Sequence, residues 1–373
     1  MAEPFKNIYN PTLIEGMAVH LARVSTAFDK DVFLKTALAG LDDLEMLARA
    51  EQISLAIDAA FPDDFSLKRT AMVAALHPRA DMELSEMKVD DQGIAGWAGE
   101  PMARVIARHG LDDPAPNLEA LCEMTMRFSS EFAVRPFFRD HPQVTMAAAL
   151  RWAKDDNHHV RRLASEGSRP LLPWGIKLHG FVQDPSALIP LLTGLRDDPS
   201  EYVRRSVANN LNDISKNQPD LIADLARDWL KQASPDRAKL VKHACRGLIK
   251  QGHTGALAAF GFPPPDLVDV DLTCPHEVVL GDKMPITLRF RARKDQKLLI
   301  DYVLHFMRAN GKLSAKVFKW TEKTVSAGED VQLEKAHPYK VVTTRKDYPG
   351  AQKLGVQING QTVVEMPFEL KIP

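Results

Sequence analysis

The chain has 373 residues, enough for two or three domains with a sizeable core, and its formal net charge of −1 selects no particular class of partner. Its three cysteines form neither a pairable framework nor a ligand cluster, which excludes a disulfide-rich secreted scaffold and favours a reducing compartment. No apolar run approaches the ~18–20 residues of a membrane span. The acidic, amphipathic start is unlike a signal peptide. We therefore expect a cytoplasmic protein without membrane contact.

The charge is distributed unevenly along the chain. Residues 1–130 carry 12 Lys and Arg against 21 Asp and Glu, residues 131–264 carry 19 against 14, and residues 265–373 carry 17 against 14. The distribution predicts that any surface that attracts anions lies in the last two-thirds of the chain.

Helical periodicity runs from the start of the chain to about residue 260. Asn10-Pro11-Thr12 predicts a first helix start, Asp31 and Asp42 predict two more, and Asp63-Asp64 precedes a fourth. Residues 82–96 are polar and weakly periodic, which predicts a surface loop. Further helices are predicted over residues 98–109, 115–128, 132–139, 142–153, 159–168, 185–195, 201–214, 219–232, 236–249 and 254–260.

One motif occurs twice within this helical part. Residues 155–162 (DDNHHVRR) are echoed by residues 197–205 (DDPSEYVRR), and a fainter copy surrounds Val241. Val160 and Val203 lie 43 residues apart, and periods of roughly 40–47 residues are typical of HEAT or armadillo helical pairs. Arginines near a helix start oppose the helix dipole, so we interpret them as partners of an external anion. Ion pairs within the solenoid are the alternative.

Spacing of four residues places particular side chains on one face of each helix. In the first copy this face carries Arg162 and Glu166, and in the second it carries Arg205, Asn209 and Asp213. Stacked repeats bring equivalent faces side by side. The sequence therefore predicts a strip of bases and acids across two repeats.

Past the helical part, the hydrophobic period changes from 3.6 to 2. The segment Gly261–Pro265 (GFPPP) forbids helix continuation, and Asn310-Gly311 and Asn359-Gly360 are hairpin signals. About seven short strands in this part are typical of an immunoglobulin-like sandwich. We predict a mostly α chain, with a HEAT-like helical-repeat solenoid in residues 1–262 and a β-sandwich in residues 266–373. Strands are predicted over residues 267–272, 286–291, 298–306, 316–320 and 353–358.

Several candidate residues have two interpretations at this stage. No P-loop, dinucleotide-binding turn, zinc-protease motif or nucleophile elbow is present. His158 and His159 point about 100° apart on a helix, so we favour a capping or phosphate-contact role over a metal site. Trp174 is expected either in the core or stacked on a ligand. Glu131 is either a first-turn helix residue or part of a site.

Three segments carry a resemblance to a known family. Residues 153–174 (AKDDNHHVRRLASEGSRPLLPW), 202–213 (YVRRSVANNLND) and 33–42 (FLKTALAGLD) resemble the AlkC branch of the HEAT-like-repeat DNA alkylation repair glycosylases. The resemblance covers essentially the whole chain, because AlkC-type members can carry a C-terminal immunoglobulin-like domain. It implies an enzyme of base excision repair in the bacterial cytoplasm or nucleoid.

The implied activity is hydrolysis of the N-glycosidic bond of cationic alkylated bases, such as 3-methyladenine and 3-methylcytosine, in double-stranded DNA. The base would not be flipped into a pocket, the protein would act as a monomer, and neither a metal nor an organic cofactor would be needed. By motif, the implied catalytic cluster is Glu131, Glu166, Trp174 and Asp213. The alternative is a non-catalytic HEAT-repeat scaffold that binds a protein partner or DNA.

The chain also contains basic residues that would hold the DNA phosphates that position the substrate. We further expect the segment that contains Lys335–Lys340 and Arg345-Lys346 to be a long loop that clamps DNA, with interdomain packing as the alternative. The predicted DNA-binding residues are Arg161, Arg162, Arg169, Arg204, Arg205, Lys242, Lys340, Arg345 and Lys346.

Overall fold

A computed structural model describes residues 4–340 and 346–372. The described chain is helical as far as Ala259 and forms strands from Leu267 onward, so the predicted fold class is confirmed. No helix in these ranges is long and apolar enough to cross a membrane. The α-helices are α1 (Pro11–Val24), α2 (Lys30–Leu38), α3 (Met46–Ala60), α4 (Phe65–Ala74), α5 (Gly99–His109), α6 (Pro114–Thr125), α7 (Arg135–Asp140), α8 (Pro142–Trp152), α9 (His158–Gly167), α10 (His179–Gln183), α11 (Leu188–Leu195), α12 (Glu201–Ile214), α13 (Pro219–Trp229), α14 (Pro235–Ala244), α15 (Arg246–Gln251) and α16 (Thr254–Ala259).

Helix starts follow the predicted caps at Asn10 and Asp64, whereas the cap of α2 is Asp29 and not Asp31. The side chain of Asn10 accepts a hydrogen bond from the Leu13 amide at 3.0 Å, and Asp64 caps α4 in the same way. The third helix does not begin at Asp42, because Gly40 adopts a left-handed φ of 62° and a short 3₁₀ turn over Leu41–Asp43 follows. Further differences are the division of 236–249 into α14 and α15, the additional helix α10, and bounds of α6, α7, α11 and α13 that differ by up to three residues from those predicted.

The segment 82–96 is only partly the surface loop that its polarity predicts. Met82 and Met87 are buried in a small cluster with Ala95, and Ile94 forms an isolated parallel bridge to Leu76. The loop therefore covers apolar surface while its polar residues remain outside.

The strands form two sheets, as a sandwich requires. One sheet has the order β1-β3-β6 and the other has the order β2-β8-β7-β4-β5. Both predicted hairpins are confirmed, with Asn359 and Gly360 at φ 47° and 80° between β7 and β8. The strands are β1 (Leu267–Thr273), β2 (Glu277–Val279), β3 (Lys283–Ala292), β4 (Gln296–Met307), β5 (Leu313–Val325), β6 (Asp330–Pro338), β7 (Gly350–Ile358) and β8 (Gln361–Lys371).

The expected long loop before β7 is shorter than predicted. Lys335–Pro338 belong to β6 and pair with β3, in a register that joins Lys335 to Ile286. The Tyr339 side chain is fully buried, and its hydroxyl donates to Gln352 Oε1 at 3.0 Å. The prediction is thus wrong for Lys335–Tyr339, because cross-strand pairing and core packing hold this stretch.

Contacts divide the chain into two compact units, residues 1–217 and 218–373. Helices α13–α16 fall in the second unit with the strands. Asn359 Nδ2 donates to the Pro263 carbonyl at 2.6 Å, and a Cβ on Gly360 would lie 2.1 Å from the Gly252 carbonyl oxygen. The Pro263–Pro265 segment marks the change from helix to strand, and a domain boundary there remains a prediction.

Candidate active site

The predicted acidic residues meet in the first unit, where three segments converge. Helix α9 presents Arg162 and Glu166 one turn apart, α12 presents Asp213, and the loop between α6 and α7 presents Glu131. Helices α9 and α12 are the two copies of the sequence motif; they pack against each other, and the valine of each copy, Val160 and Val203, is buried. The repeat therefore positions the cluster.

Carboxylates and cations alternate through this cluster, which we call the Glu166 network. Arg162 pairs with Glu131 and lies 3.7 Å from Glu166 through Nη2. Arg169 Nη1 lies 2.6 Å from Glu166 Oε1, and its Nε donates to Asp213 Oδ2 at 2.9 Å. Lys216 Nζ ends the series, 3.2 Å from Asp213 Oδ1. Its members are Glu131, Arg162, Glu166, Arg169, Asp213 and Lys216.

Burial and charge act against each other at Glu166. Burial would raise the pKa of this carboxyl, but Arg162, Arg169 and a hydrogen bond from Ser206 together hold the pKa below its usual range. The Ser206 hydroxyl donates to Glu166 Oε2 at 2.6 Å. Burial would lower the pKa values of Arg162 and Arg169, yet the neighbouring carboxylates raise both. Glu166 is therefore ionised throughout the physiological range.

Tyr202 is a member of this site that the sequence analysis missed. The guanidinium carbon of Arg162 lies 5.1 Å from the centroid of the Tyr202 ring, a cation–π contact. Burial raises the pKa of Tyr202 and outweighs the opposite effect of Arg162, so the hydroxyl stays protonated. Tyr202 directly precedes the second Val-Arg-Arg triplet, and an aromatic residue at that position was the available signal.

Trp174 stands at the surface beside the network. Its side chain is 75% exposed, so the core interpretation is wrong and the stacking interpretation remains. Its backbone has a φ of 64°, a left-handed conformation that costs a bulky residue of order 1–3 kcal/mol. An exposed indole held in a strained conformation points to a role outside the core.

Glu131, Glu166, Arg169 and Trp174 line one pocket of about 300 Å³. The rest of the pocket wall includes an acidic residue of α5, Glu100, whose carboxylate accepts a hydrogen bond from Tyr9 at 3.4 Å. Burial raises the pKa of Glu100 despite its ion pair with Arg104. The sequence analysis did not single out this wall, whose aromatic residues are Tyr9, Trp97, Phe128 and Phe132.

The first arginine of each triplet, Arg161 or Arg204, has internal partners, and a contact of either with DNA stays a prediction. Arg161 Nη1 donates to the carbonyls of Asp155 and Asp156, and Arg204 Nη1 donates to those of Asp198 and Pro199. Arg161 also forms a two-point ion pair with Asp198. The bonded carbonyls lie five and six residues earlier in both repeats. These cations stabilise the turn before each helix, so no external anion is needed to explain them.

Other predicted DNA-binding residues have different surroundings. Arg162 and Arg169 form the ion pairs of the Glu166 network and are half-buried and buried, respectively, and their assignment as phosphate contacts stays a prediction. Arg205 is exposed on α12. Lys242, Lys340 and Lys346 are exposed in the second unit, and Arg345 lies outside the described residues.

His158 and His159 do not form a metal site in the structure. His159 is buried with its Nε2 2.9 Å from the Met82 carbonyl oxygen, and burial lowers its pKa. Among residues 4–340 and 346–372, no cluster of three or more His, Cys, Asp or Glu side chains is arranged to hold a metal ion. The capping interpretation is consistent with the neighbouring Asn157, which accepts from the His159 amide.

Comparison with known proteins extends this description over the whole chain. A family profile described as "Uncharacterised protein YhaZ, C-terminal Ig-like domain" matches residues 269–372. The chain is 35% identical over 368 residues to "Uncharacterized protein YhaZ" of Bacillus subtilis (strain 168), a match that covers 98% of this chain and 99% of that relative. It is also similar to the solved structure "Pseudomonas fluorescens alkylpurine DNA glycosylase AlkC bound to DNA containing an abasic site analog", with 34% identity, a TM-score of 0.79 and 100% coverage of both chains.

Similarity over the full length, together with helical repeats and an Ig-like domain, defines the class of HEAT-like-repeat DNA glycosylases. Within that class, the chain belongs to the AlkC family. The resemblance carried by the segments around Arg162 and Arg205 is therefore confirmed.

Proposed function

We propose that this chain is a DNA glycosylase that removes cationic alkylated bases, 3-methyladenine and 3-methylcytosine, from double-stranded DNA. The observation that carries the proposal is an ionised, buried carboxylate, Glu166, that lines a pocket beside the exposed Trp174. The relative of known structure is named as an alkylpurine DNA glycosylase and is bound to DNA with an abasic site analogue. The name of this relative supports an alkylated purine as substrate and DNA as partner.

The proposed reaction needs no general acid, but it needs a carboxylate to stabilise positive charge on the sugar. A base that is already cationic departs as a neutral molecule, so the leaving group needs no proton from the protein. Positive charge then develops on the deoxyribose as an oxocarbenium-like centre, which carboxylates stabilise, as in glycoside hydrolysis. Because the stabilising interaction acts on the sugar, the base need not be extruded into a pocket.

The residues of the site divide these tasks. The Glu166 carboxylate faces the developing charge, and Glu131, the most accessible carboxylate of the network, orients the water that attacks C1′ and accepts its proton. Asp213 acts through Arg169, whose guanidinium it holds against Glu166. The indole of Trp174 packs on the sugar, where its π face favours a cationic centre.

Phosphate contacts would come from the exposed cations of each unit. Arg205 lies on α12, the helix that also carries Asp213. In the second unit, Lys242, Lys250 and Lys316 are exposed on α14, α15 and β5, and each lines a surface groove between those helices and the sheet. A surface of this kind binds the DNA backbone with little dependence on sequence.

The proposal is tested by Glu166→Gln, which keeps the side-chain shape and removes its charge. We expect the release of both methylated bases to fall by roughly 10²–10³-fold, as when one group that stabilises the transition-state charge is removed. Affinity for undamaged duplex, measured by fluorescence anisotropy, should change little. Glu15→Gln, an exposed residue on α1, is the matched control and should release base at the wild-type rate.

Circular dichroism must show that the Glu166→Gln protein is folded, because the exchange leaves Arg162 and Arg169 less well neutralised. Near-wild-type release by the folded variant would overturn the assignment of Glu166. If the wild-type protein binds DNA but releases neither base, the proposed activity is wrong and the non-catalytic scaffold is favoured.

A further inference from the structure

A buried arginine, Arg135, connects the loop that carries Trp174 to the helix that carries Glu166. It is the first residue of α7 and has no solvent-exposed surface. Its Nη1 donates to the carbonyls of Gly167 at 3.0 Å and Arg169 at 2.8 Å. Its Nε donates to the carbonyl of Ile176 at 2.7 Å, and its Nη2 donates to the same oxygen. One side chain therefore fixes the backbone on both sides of Trp174.

Burying the charged guanidinium of Arg135 costs desolvation free energy, which an apolar side chain of the same size would not. Burial, followed in size by the nearby Arg169, lowers the pKa of Arg135 to about 10. Its hydrogen-bond partners are backbone carbonyls rather than a carboxylate. Apolar residues of similar volume are often neutral or stabilising when they replace buried charges. What only a guanidinium supplies is a rigid fork of donors, which here reaches carbonyls of three residues.

The loop itself requires such support. Trp174 has a positive φ, and a strained conformation of this kind persists only where the surrounding structure determines it. The next residue, Gly175, lies so close that a Cβ there would be 3.0 Å from both Cδ and Nε of Arg135. The close packing of Gly175 on the guanidinium and the bonds to its neighbours act together on the same few residues.

We propose that Arg135 is a positioning residue for the glycosylase reaction, setting the place of Trp174 and of Arg169 relative to Glu166. The inference rests on the proposed function for its kinetic consequence, but its structural consequence is independent of activity. Arg135 touches none of the reacting atoms. It acts through the loop, by holding the carbonyls of Gly167, Arg169 and Ile176.

Two substitutions test the positioning role of Arg135, one in Arg135 itself and one in Gly175, which packs against it. Arg135→Lys keeps the charge and loses the fork, so one ammonium must replace bonds to three carbonyls. Gly175→Ala leaves Arg135 in place and introduces a methyl group against its side chain, at a surface loop where global unfolding is not expected. The matched control for hydrogen exchange is Arg49→Lys, because Arg49 is also buried and donates to backbone carbonyls, none of which lies in residues 167–178: those of Lys6, Tyr9, Asp42 and Leu44.

The first measurement is amide hydrogen exchange followed by mass spectrometry on the full-length protein. Arg135→Lys and Gly175→Ala should accelerate exchange in peptides that cover residues 167–178, where Gly175 and Leu178 amides donate to Leu172 and Pro170 carbonyls. Arg49→Lys should leave this segment protected. A uniform rise over the whole chain, or no rise in the segment in either variant, would overturn the inference.

The second measurement is single-turnover release of 3-methyladenine together with affinity for duplex DNA. We expect the rate constant at saturating enzyme to fall by roughly tenfold to a hundredfold in Arg135→Lys, the size expected of a small misplacement of reacting groups. Affinity should fall by less than the rate in this variant.

A double variant separates positioning from a general loss of stability. If Arg135 acts through the loop, adding Trp174→Ala to Arg135→Lys should cost less than the product of the two separate losses, because both remove the same contact. Fully multiplicative losses, or an Arg135→Lys rate within twofold of wild type, would overturn the inference. Wild-type protein without base release would refute the proposed function alone, since the exchange measurement would still test Arg135.

Discussion

Two networks of alternating charge in the first unit differ in burial, and the comparison shows what distinguishes a candidate site from a stabilising surface. In the network between α3 and α5, Arg104 and Arg108 both pair with Glu51, and Arg108 also pairs with Asp58, which Lys68 approaches to 2.6 Å. The Glu51 side chain is 42% exposed, whereas those of Glu166 and Asp213 are 7% and 3% exposed. Arg104 also pairs with Glu100, which is as buried as Glu166, but burial raises the pKa of Glu100 whereas the pKa of Glu166 is lowered.

The difference has an electrostatic consequence. Exposed ion pairs are screened and contribute little, whereas charges removed from water interact strongly. In the Glu166 network, two arginines hold a buried carboxylate in its ionised form, and that carboxylate borders a pocket. Alternating sign along helix faces is common to both networks, so it does not by itself identify a site. A buried carboxylate that stays ionised and borders a pocket, as Glu166 does, identifies a candidate site.

The largest expected effect after that of Glu166→Gln separates the two networks directly. Asp213→Asn removes the charge that holds Arg169, and we expect base release to fall by roughly 10-fold to 10²-fold. Asp58→Asn removes an equivalent charge from the α3–α5 network and should lower the unfolding free energy by about 1–3 kcal/mol without changing the rate. Single-turnover release and urea denaturation check the pair. Equal rates of base release in the two variants would show that the Glu166 network is no more important for the reaction than the α3–α5 network.

Trp174→Asn sharpens the comparison at the pocket mouth. Asn adopts left-handed backbone conformations more readily than Trp, so strain at φ 64° is relieved while the aromatic face is lost. We expect release to fall by roughly tenfold while the unfolding free energy stays constant or rises by about 0.5 kcal/mol. A loss of both activity and stability would show that the indole contributes to the fold, and Trp174→Phe serves as the control that retains a ring.

A smaller effect is expected from the exposed cations. Arg205→Ala should lower the slope of log affinity against log salt by about 0.9, the value for one neutralised phosphate. Arg204→Ala, its neighbour in the same triplet, removes bonds to turn carbonyls and should lower stability with the slope unchanged. Fluorescence anisotropy over a range of salt concentrations measures both. If Arg204 and Arg205 changed the slope equally, the division of roles within the triplet would be incorrect.

The smallest expected effect is that of pH. The folded-state pKa of Glu166 is depressed, so its ionised form stabilises the fold above the ordinary Glu pKa of about 4.3, and this contribution is lost as pH falls through the folded value. The single-turnover rate should therefore change by less than about twofold between pH 7.5 and pH 5. A rate that fell steeply in this interval would show that the essential carboxyl has a raised pKa, as Glu100 does.

Local periodicity predicted the parts of the site that depend on one helix. The bounds of α12 are those expected, and the four-residue spacing correctly grouped Arg162 with Glu166. Spacing alone did not separate Arg161 from Arg162, whose different roles depend on the turn carbonyls of one repeat and the Glu131 loop of another. Trp174 is exposed in a loop whose Ile176 carbonyl is bound by Arg135, which lies 39 positions before Trp174 in the sequence, so hydrophobic period could not predict its position.

The sequence analysis did not predict strand β6, and the reason is its residue pattern. Along β6, the inward-facing positions hold Val331 and Leu333 and then Lys335 and His337, so the apolar alternation ends halfway. His337 is nevertheless buried, with its Nδ1 2.9 Å from the Tyr302 hydroxyl oxygen. A polar residue that finds its partner on another strand cannot be distinguished from a loop residue by hydrophobic period.

The close approach of Gly252 to Gly360 has a consequence for how the second unit melts. Neither position has room for a side chain, since the Gly252 Cβ would lie 2.8 Å from the Gly360 Cα. The end of α15 and the β7–β8 turn therefore pack with their backbones in contact. If either the helices or the sandwich unfolded, the contacting surface of the other would be exposed to solvent. Helices α13–α16 and the sandwich should therefore unfold in one calorimetric transition, and Gly360→Ala should lower the temperature of that transition for helix and strand signals alike.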